Sequence, residues 1–170
     1  MLSDMNQGHC DPGVIVRNGI VLVFGSNYGP GEQLCEGSKV TSSRWEILPQ
    51  MRKRRSGFTP AAWQKAIYLC GGLDNSTVEV FDGVSMKLLA LTLPEDSGSM
   101  ACVKGDTLLI FTAHYLVILS KSGDQFNGVA NERRGTCYMN TLPVLRNDVV
   151  YSLWGGEVYR YSAQTGHRLI

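Results

Sequence analysis

The chain is poor in the residues that most catalysis needs. Histidine occurs three times in 170 residues, at His9, His114 and His167, and none stands beside a Gly-x-Ser-x-Gly turn. A nucleophile activated by an oriented imidazole therefore has little to be built from. The five cysteines, Cys10, Cys35, Cys70, Cys102 and Cys137, form no Cys-x-x-Cys pair and have no histidine at ligand spacing. That argues against a zinc site and for small hydrophobes within or near sheets. The acids, among them Glu79, Asp82, Glu95, Asp96 and Asp124, are expected mainly in outer or connecting segments rather than converging as glycosidase pairs do. Excess charge of one sign is missing too: 16 Lys and Arg against 15 Asp and Glu leave +1. No global field then steers the molecule to nucleic acid or an anionic membrane. No apolar run approaches the roughly twenty residues that span a bilayer. Met1 to Asp11 lacks the basic start and apolar centre of an export signal, so the cytoplasm is the expected compartment. Apolar residues nowhere keep helical spacing for three capped turns.

What is present is a phrase that recurs. Gly19-Ile20-Val21-Leu22-Val23-Phe24-Gly25 reads as a short strand closed by glycine. So do Lys65-Ala66-Ile67-Tyr68-Leu69-Cys70-Gly71-Gly72 and Asp148-Val149-Val150-Tyr151-Ser152-Leu153-Trp154-Gly155-Gly156, while Asp106-Thr107-Leu108-Leu109-Ile110-Phe111 runs into Thr112-Ala113. Taking Gly25, Gly71, Thr112 and Gly155 as markers, the spacings are 46, 41 and 43 residues. Around the second marker lie four short strands split by turn residues, including the alternating Thr77-Val78-Glu79-Val80-Phe81-Asp82. A period in the low forties with four strands per unit predicts an all-β propeller, each blade needing neighbours to cover its faces.

Within that period Arg55-Ser56-Gly57, Ile67-Tyr68-Leu69-Cys70-Gly71-Gly72 and Val78-Glu79-Val80-Phe81-Asp82 resemble successive parts of a kelch repeat, and Trp45-Glu46-Ile47-Leu48-Pro49 resembles its outer strand. The second unit is the best match; the third has lost the double glycine. The expected organisation is a tail over residues 1–12 and four kelch-type blades of four antiparallel strands at about 13–50, 57–95, 98–133 and 135–170, as a partial propeller or a small ring. An open arc would leave two apolar blade faces free for self-association. The last unit, with Thr165-Gly166 before its outer strand, also resembles quinone-cofactor propellers.

The resemblance implies a non-catalytic scaffold, with no cofactor, that binds a protein or peptide partner, acidic ones included. In kelch adaptors an Arg ahead of Ser-Gly rings one mouth of the channel. Here Arg55 matches that position and Arg134, before Gly135, matches in part. Arg54 belongs to the basic run Arg52-Lys53-Arg54-Arg55, and a guanidinium fork suits carboxylates or phosphates. Asn27 and Tyr28 fall in the longest insertion, expected from Ser26 to Ser38, where recognition tends to sit. Asn75 marks a tight turn; His114 and Tyr115 mark another, at a blade edge. The alternative from a different class is a galactose-oxidase-like or quinone-type propeller enzyme.

Overall fold

The computed structural model describes residues 4–29, 32–42, 44–96, 98–122, 125–132, 144–147, 149–154, 157–162 and 166–169. Every regular element among them is a strand, and the sixteen strands form four antiparallel sheets of four. Sheet 1 is β1 (Gly13–Arg17), β2 (Ile20–Phe24), β3 (Cys35–Lys39) and β4 (Glu46–Leu48). Sheet 2 is β5 (Ala61–Trp63), β6 (Ala66–Cys70), β7 (Thr77–Phe81) and β8 (Met86–Thr92). Sheet 3 is β9 (Met100–Lys104), β10 (Thr107–Phe111), β11 (Tyr115–Ser122) and β12 (Gln125–Glu132). Sheet 4 is β13 (Val144–Arg146), β14 (Val149–Trp154), β15 (Glu157–Ser162) and β16 (Gly166–Leu169). In each the strands pair in sequence order, so every sheet is a plain meander lying within one expected unit.

The sheets cannot stand alone because their second strands are apolar on both faces. In β6, Ile67 and Leu69 join Leu22, Phe24, Cys35, Met51 and Phe81 in a layer between sheets 1 and 2. The alternate residues Tyr68 and Cys70 join Ala101, Leu108, Ile110, Val117 and Leu119 in a layer between sheets 2 and 3. Leu109, Phe111 and Leu116 meet Val150 between sheets 3 and 4. Period-two alternation thus sends one strand's side chains into two different cores. Phe24 and Phe81 meet edge-on across the first layer, ring centroids 6.0 Å apart. The first strands β1, β5, β9 and β13 neighbour one another in order, and Phe58 bridges Ser99 in parallel. Among the described residues no such layer joins sheet 4 to sheet 1.

Three expectations change. The insertion after Phe24 is shorter than Ser26 to Ser38, because β3 already starts at Cys35. Cys-Glu-Gly-Ser-Lys contains no strong strand former, yet it is held between β2 and β4 by ladders on both sides; pairing overrides propensity. Tyr115 opens β11 rather than sitting in the turn. Residues 4–12 are not a free tail, for they fold back onto sheet 1. Cys102 lies within β9, the first strand of its sheet, whereas Cys137 and Gly155-Gly156 lie outside the described residues.

Candidate functional site

The candidate residues gather at one end of the stack, where the loops after β2, β6 and β10 meet the linkers between sheets. Arg55 does not face solvent there. Its residue is 1% exposed, and its guanidinium turns inward. Nη1 donates to the carbonyls of Gly71 (2.5 Å) and Thr77 (2.8 Å), while Nη2 donates to Thr77 Oγ1 (2.7 Å) and Glu79 Oε1 (3.1 Å). Glu79, also fully buried, accepts the amides of Arg52 (2.7 Å) and Lys53 (3.0 Å) as well. Burial pulls the guanidinium's pKa down and Glu79 opposes that shift, but an arginine stays charged in proteins. The fork expected to read a partner is thus committed to the fold. Glu79 was expected in an outer or connecting segment; it sits on β7 with all its acceptor work internal.

Unit 1 carries the same lock. Glu36 on β3 accepts the amides of Asn6 (2.9 Å) and Gln7 (3.1 Å) and the Asn6 side chain (2.8 Å). His9 stands where unit 2 has Arg55: Nδ1 is 2.7 Å from the Gly25 carbonyl and Nε2 is 3.2 Å from Glu36 Oε1. Asn6, Gln7, His9 and Gly25 each precede Arg52, Lys53, Arg55 and Gly71 by 46 residues. Burial pushes the Glu36 carboxyl up, but the bonds from Asn6, His9 and Gln7 outweigh it and hold it below the usual carboxylate range. The Gly25 carbonyl and Glu36 thus hold the ring from both sides, as the Gly71 carbonyl and Glu79 hold Arg55. In unit 3 Val117 fills the glutamate's register, set by the turn bond Thr112 N–H to Tyr115 O that matches Gly71 N–H to Thr77 O. There Asp96 precedes Ser97-Gly98 as Arg55 precedes Ser56-Gly57. Unit 3 thus has neither the carboxylate nor the cation at these two places.

The other candidates divide by exposure. Asn75 is buried and structural: its amide donates to Arg54 O (2.8 Å), and its side-chain oxygen accepts from Thr77 N (2.9 Å) and Thr77 Oγ1 (2.7 Å). Asn27 Oδ1 accepts from Ser56 Oγ at 3.3 Å, tying the loop of sheet 1 to the linker of sheet 2. His114 is half-buried and held by Glu95, which takes its amide and its Nδ1, each at 2.7 Å. Burial raises the Glu95 pKa, but bonds from Thr112 and His114 carry it below its ordinary value. Tyr28 is 71% exposed, and Arg54 is exposed. Arg134 lies outside the described residues. Sequence reasoning named Arg52 and Lys53 only as members of the basic run; they are exposed and directly precede Arg54, with no ion pair among the described residues. It also missed Glu36 and His9; the 46-residue echo of the linker was the available signal.

The thiols offer little chemistry. Burial pushes Cys35 and Cys70 up to about 12 and Cys102 up to about 11, so none is a ready thiolate. Among the described residues no group of three or more His, Cys, Asp or Glu is placed to hold a metal ion. No helix among them is long and apolar enough to cross a membrane. No protein-family model matches the chain, and no curated protein matches it.

Proposed function

We propose that the chain is a kelch-like β-propeller module, partial or completed by further blades, that binds an acidic protein or peptide partner without catalysing a reaction. One observation carries this reading: Arg52, Lys53 and Arg54 point their charge outward from a backbone that Glu79 fixes. Two consecutive amides bonded to a buried carboxylate, with Arg55 locked behind them, make a rigid linker. Its exposed cations need little ordering when a carboxylate or phosphate arrives, and that preorganisation favours binding. Tyr28 adds an exposed aromatic at the same end. The role expected of Arg55 passes to its neighbours. The test is a titration of a fluorescent Glu- and Asp-rich peptide. Arg52→Glu/Arg54→Glu is expected to weaken binding at least tenfold and to flatten its salt dependence. Binding equal to that of the unchanged protein would remove the proposal.

A further inference from the structure

The opposite end of the stack, made of hairpin turns, holds a feature that this reading does not use. A cleft of about 430 Å³ opens between sheets 1 and 2. Its walls are apolar, supplied by Ile20, Leu22, Leu48, Ile67 and Phe81. Four cations line it as well: Arg17 at the end of β1, Lys39 and Arg44 around the β3–β4 turn, and Lys65 in the β5–β6 turn. None of the four makes an ion pair or side-chain hydrogen bond among the described residues. Two acids are present, Glu46 and Asp82. Asp82 is already answered by the amides of Val84 (2.9 Å) and Ser85 (2.8 Å), by Ser85 Oγ (2.9 Å) and by Lys87 Nζ (3.3 Å). Glu46 alone is left to face four cations.

The cleft has an identifiable cause. Gly37 pairs with Leu22 on β2 and Glu46 on β4. At the same register in sheet 2 stands Val80, one residue after Glu79 as Gly37 follows Glu36, and Val80 packs into the layer between sheets 2 and 3. Sheet 1 therefore has no side chain at this place, and Leu22 and Leu48 close over the bare backbone, within 3.1 and 3.2 Å of where a Cβ would stand. Gly37 is not in a left-handed conformation, so turn geometry does not demand glycine there.

We infer that this cleft binds a small anionic amphiphile, a molecule with an apolar body and a single carboxylate, sulfonate or phosphate head. The apolar walls take the body, and Arg17, Lys39, Arg44 and Lys65 take the head. The volume is that of small-ligand sites, and such sites combine apolar lining with a few convergent polar groups. Unanswered cations above an apolar floor select an anion over a cation of the same tail, because only the anion regains on binding the interactions it loses on leaving water.

The probe is dodecanoate below its micellar concentration, titrated by calorimetry and by methyl NMR of the full chain, with dodecyltrimethylammonium as the opposite-charge control. One saturable site is expected, with shifts at Ile20, Leu22, Leu48 and Ile67 and at least tenfold weaker binding of the cationic probe. Gly37→Val, which pushes the Leu22 and Leu48 walls out of place, and Arg44→Glu/Lys65→Glu, which leaves the apolar walls intact, should each weaken dodecanoate at least tenfold. The second variant changes only exposed side chains, so it keeps the test valid should Gly37→Val fold poorly. Arg52→Glu/Arg54→Glu, at the other end, should leave dodecanoate affinity unchanged. Equal affinity for both head groups, or binding indifferent to the cleft variants, overturns the inference. So does a Glu- and Asp-rich peptide that competes for the cleft more tightly than dodecanoate. Absence of dodecanoate binding also overturns it, and leaves the peptide reading at the linker end to its own titration.

Discussion

Arg55 and Glu79 form a pair that neither side chain can leave without stranding the other. Both are sealed from water, and each also holds backbone groups of a neighbouring segment. Removing one member of such a pair leaves a buried charge unanswered, at a cost of about 3–5 kcal/mol. Arg55→Ala is accordingly expected to lower unfolding stability by about that amount in a denaturant titration, and Glu79→Leu by a similar amount. Arg55→Met/Glu79→Leu should recover only part of the loss, since it removes the stranded charge but leaves the Arg52 and Lys53 amides and the Gly71 and Thr77 carbonyls without these partners. Glu36 gives the pH dependence. Its folded pKa lies below the ordinary value of 4.5, so its contribution is complete above that pH and fades as pH falls through the folded value. Stability followed from pH 6 to pH 3 should drop in the unchanged protein and drop less in Glu36→Gln. The Arg-Ser-Gly phrase was visible in the sequence, but its direction was not. A charged residue's inward turn depends on a carboxylate 24 residues later in the chain, and nothing local announces that Glu79 points back toward it.

At the scale of elements, the second strands were the most legible part, because short, mostly apolar runs bounded by turns leave few other readings. Strand β3 was the least legible. Its residues carry no strand signature, and it exists because β2 and β4 need a partner between them and Glu36 needs the amides of residues 6 and 7. The same bonds turn the N-terminal segment into a working linker, a role hidden in the sequence because His9 stands where unit 2 has arginine. If the two linkers are equivalent, His9→Arg keeps the lock, and His9→Leu leaves the Gly25 carbonyl and Glu36 short of a donor. The first should stay within about 1 kcal/mol of the unchanged protein and the second lose about 1–3 kcal/mol, with faster hydrogen exchange at the Asn6 and Gln7 amides. Glycine matters at the strand ends. Gly71 has φ +61°, and a Cβ there would come within 2.8 Å of Ser99 Oγ and 3.0 Å of Leu93 Cδ1. At Gly25, with φ +74°, it would run into the Arg55 carbonyl. Either Gly→Ala change should cost more than about 1 kcal/mol in thermal unfolding, since neither the backbone conformation nor the space admits a side chain.

Across the whole molecule, sheets 1 to 4 stack in sequence order, and alternate residues of β6 belong to different interfaces. The repeat period made four units readable from the marker residues alone. The missing double glycine of unit 3 did not disturb this, because Thr112 closes its turn with Tyr115 as Gly71 does with Thr77. The charge logic of the two ends was not readable, since linker cations and cleft cations are interleaved along the chain and separate only when the meanders fold. Nuclear Overhauser contacts of the strand Ala66–Cys70 test the stack most directly. Ile67 and Leu69 should show contacts to Leu22, Phe24 and Phe81 and none to Leu108 or Ile110. Tyr68 and Cys70 should show contacts to sheet 3 and none to sheet 1. Contacts from Leu69 and Tyr68 to the same neighbouring sheet would contradict the layered arrangement on which the linker lock and the cleft both depend.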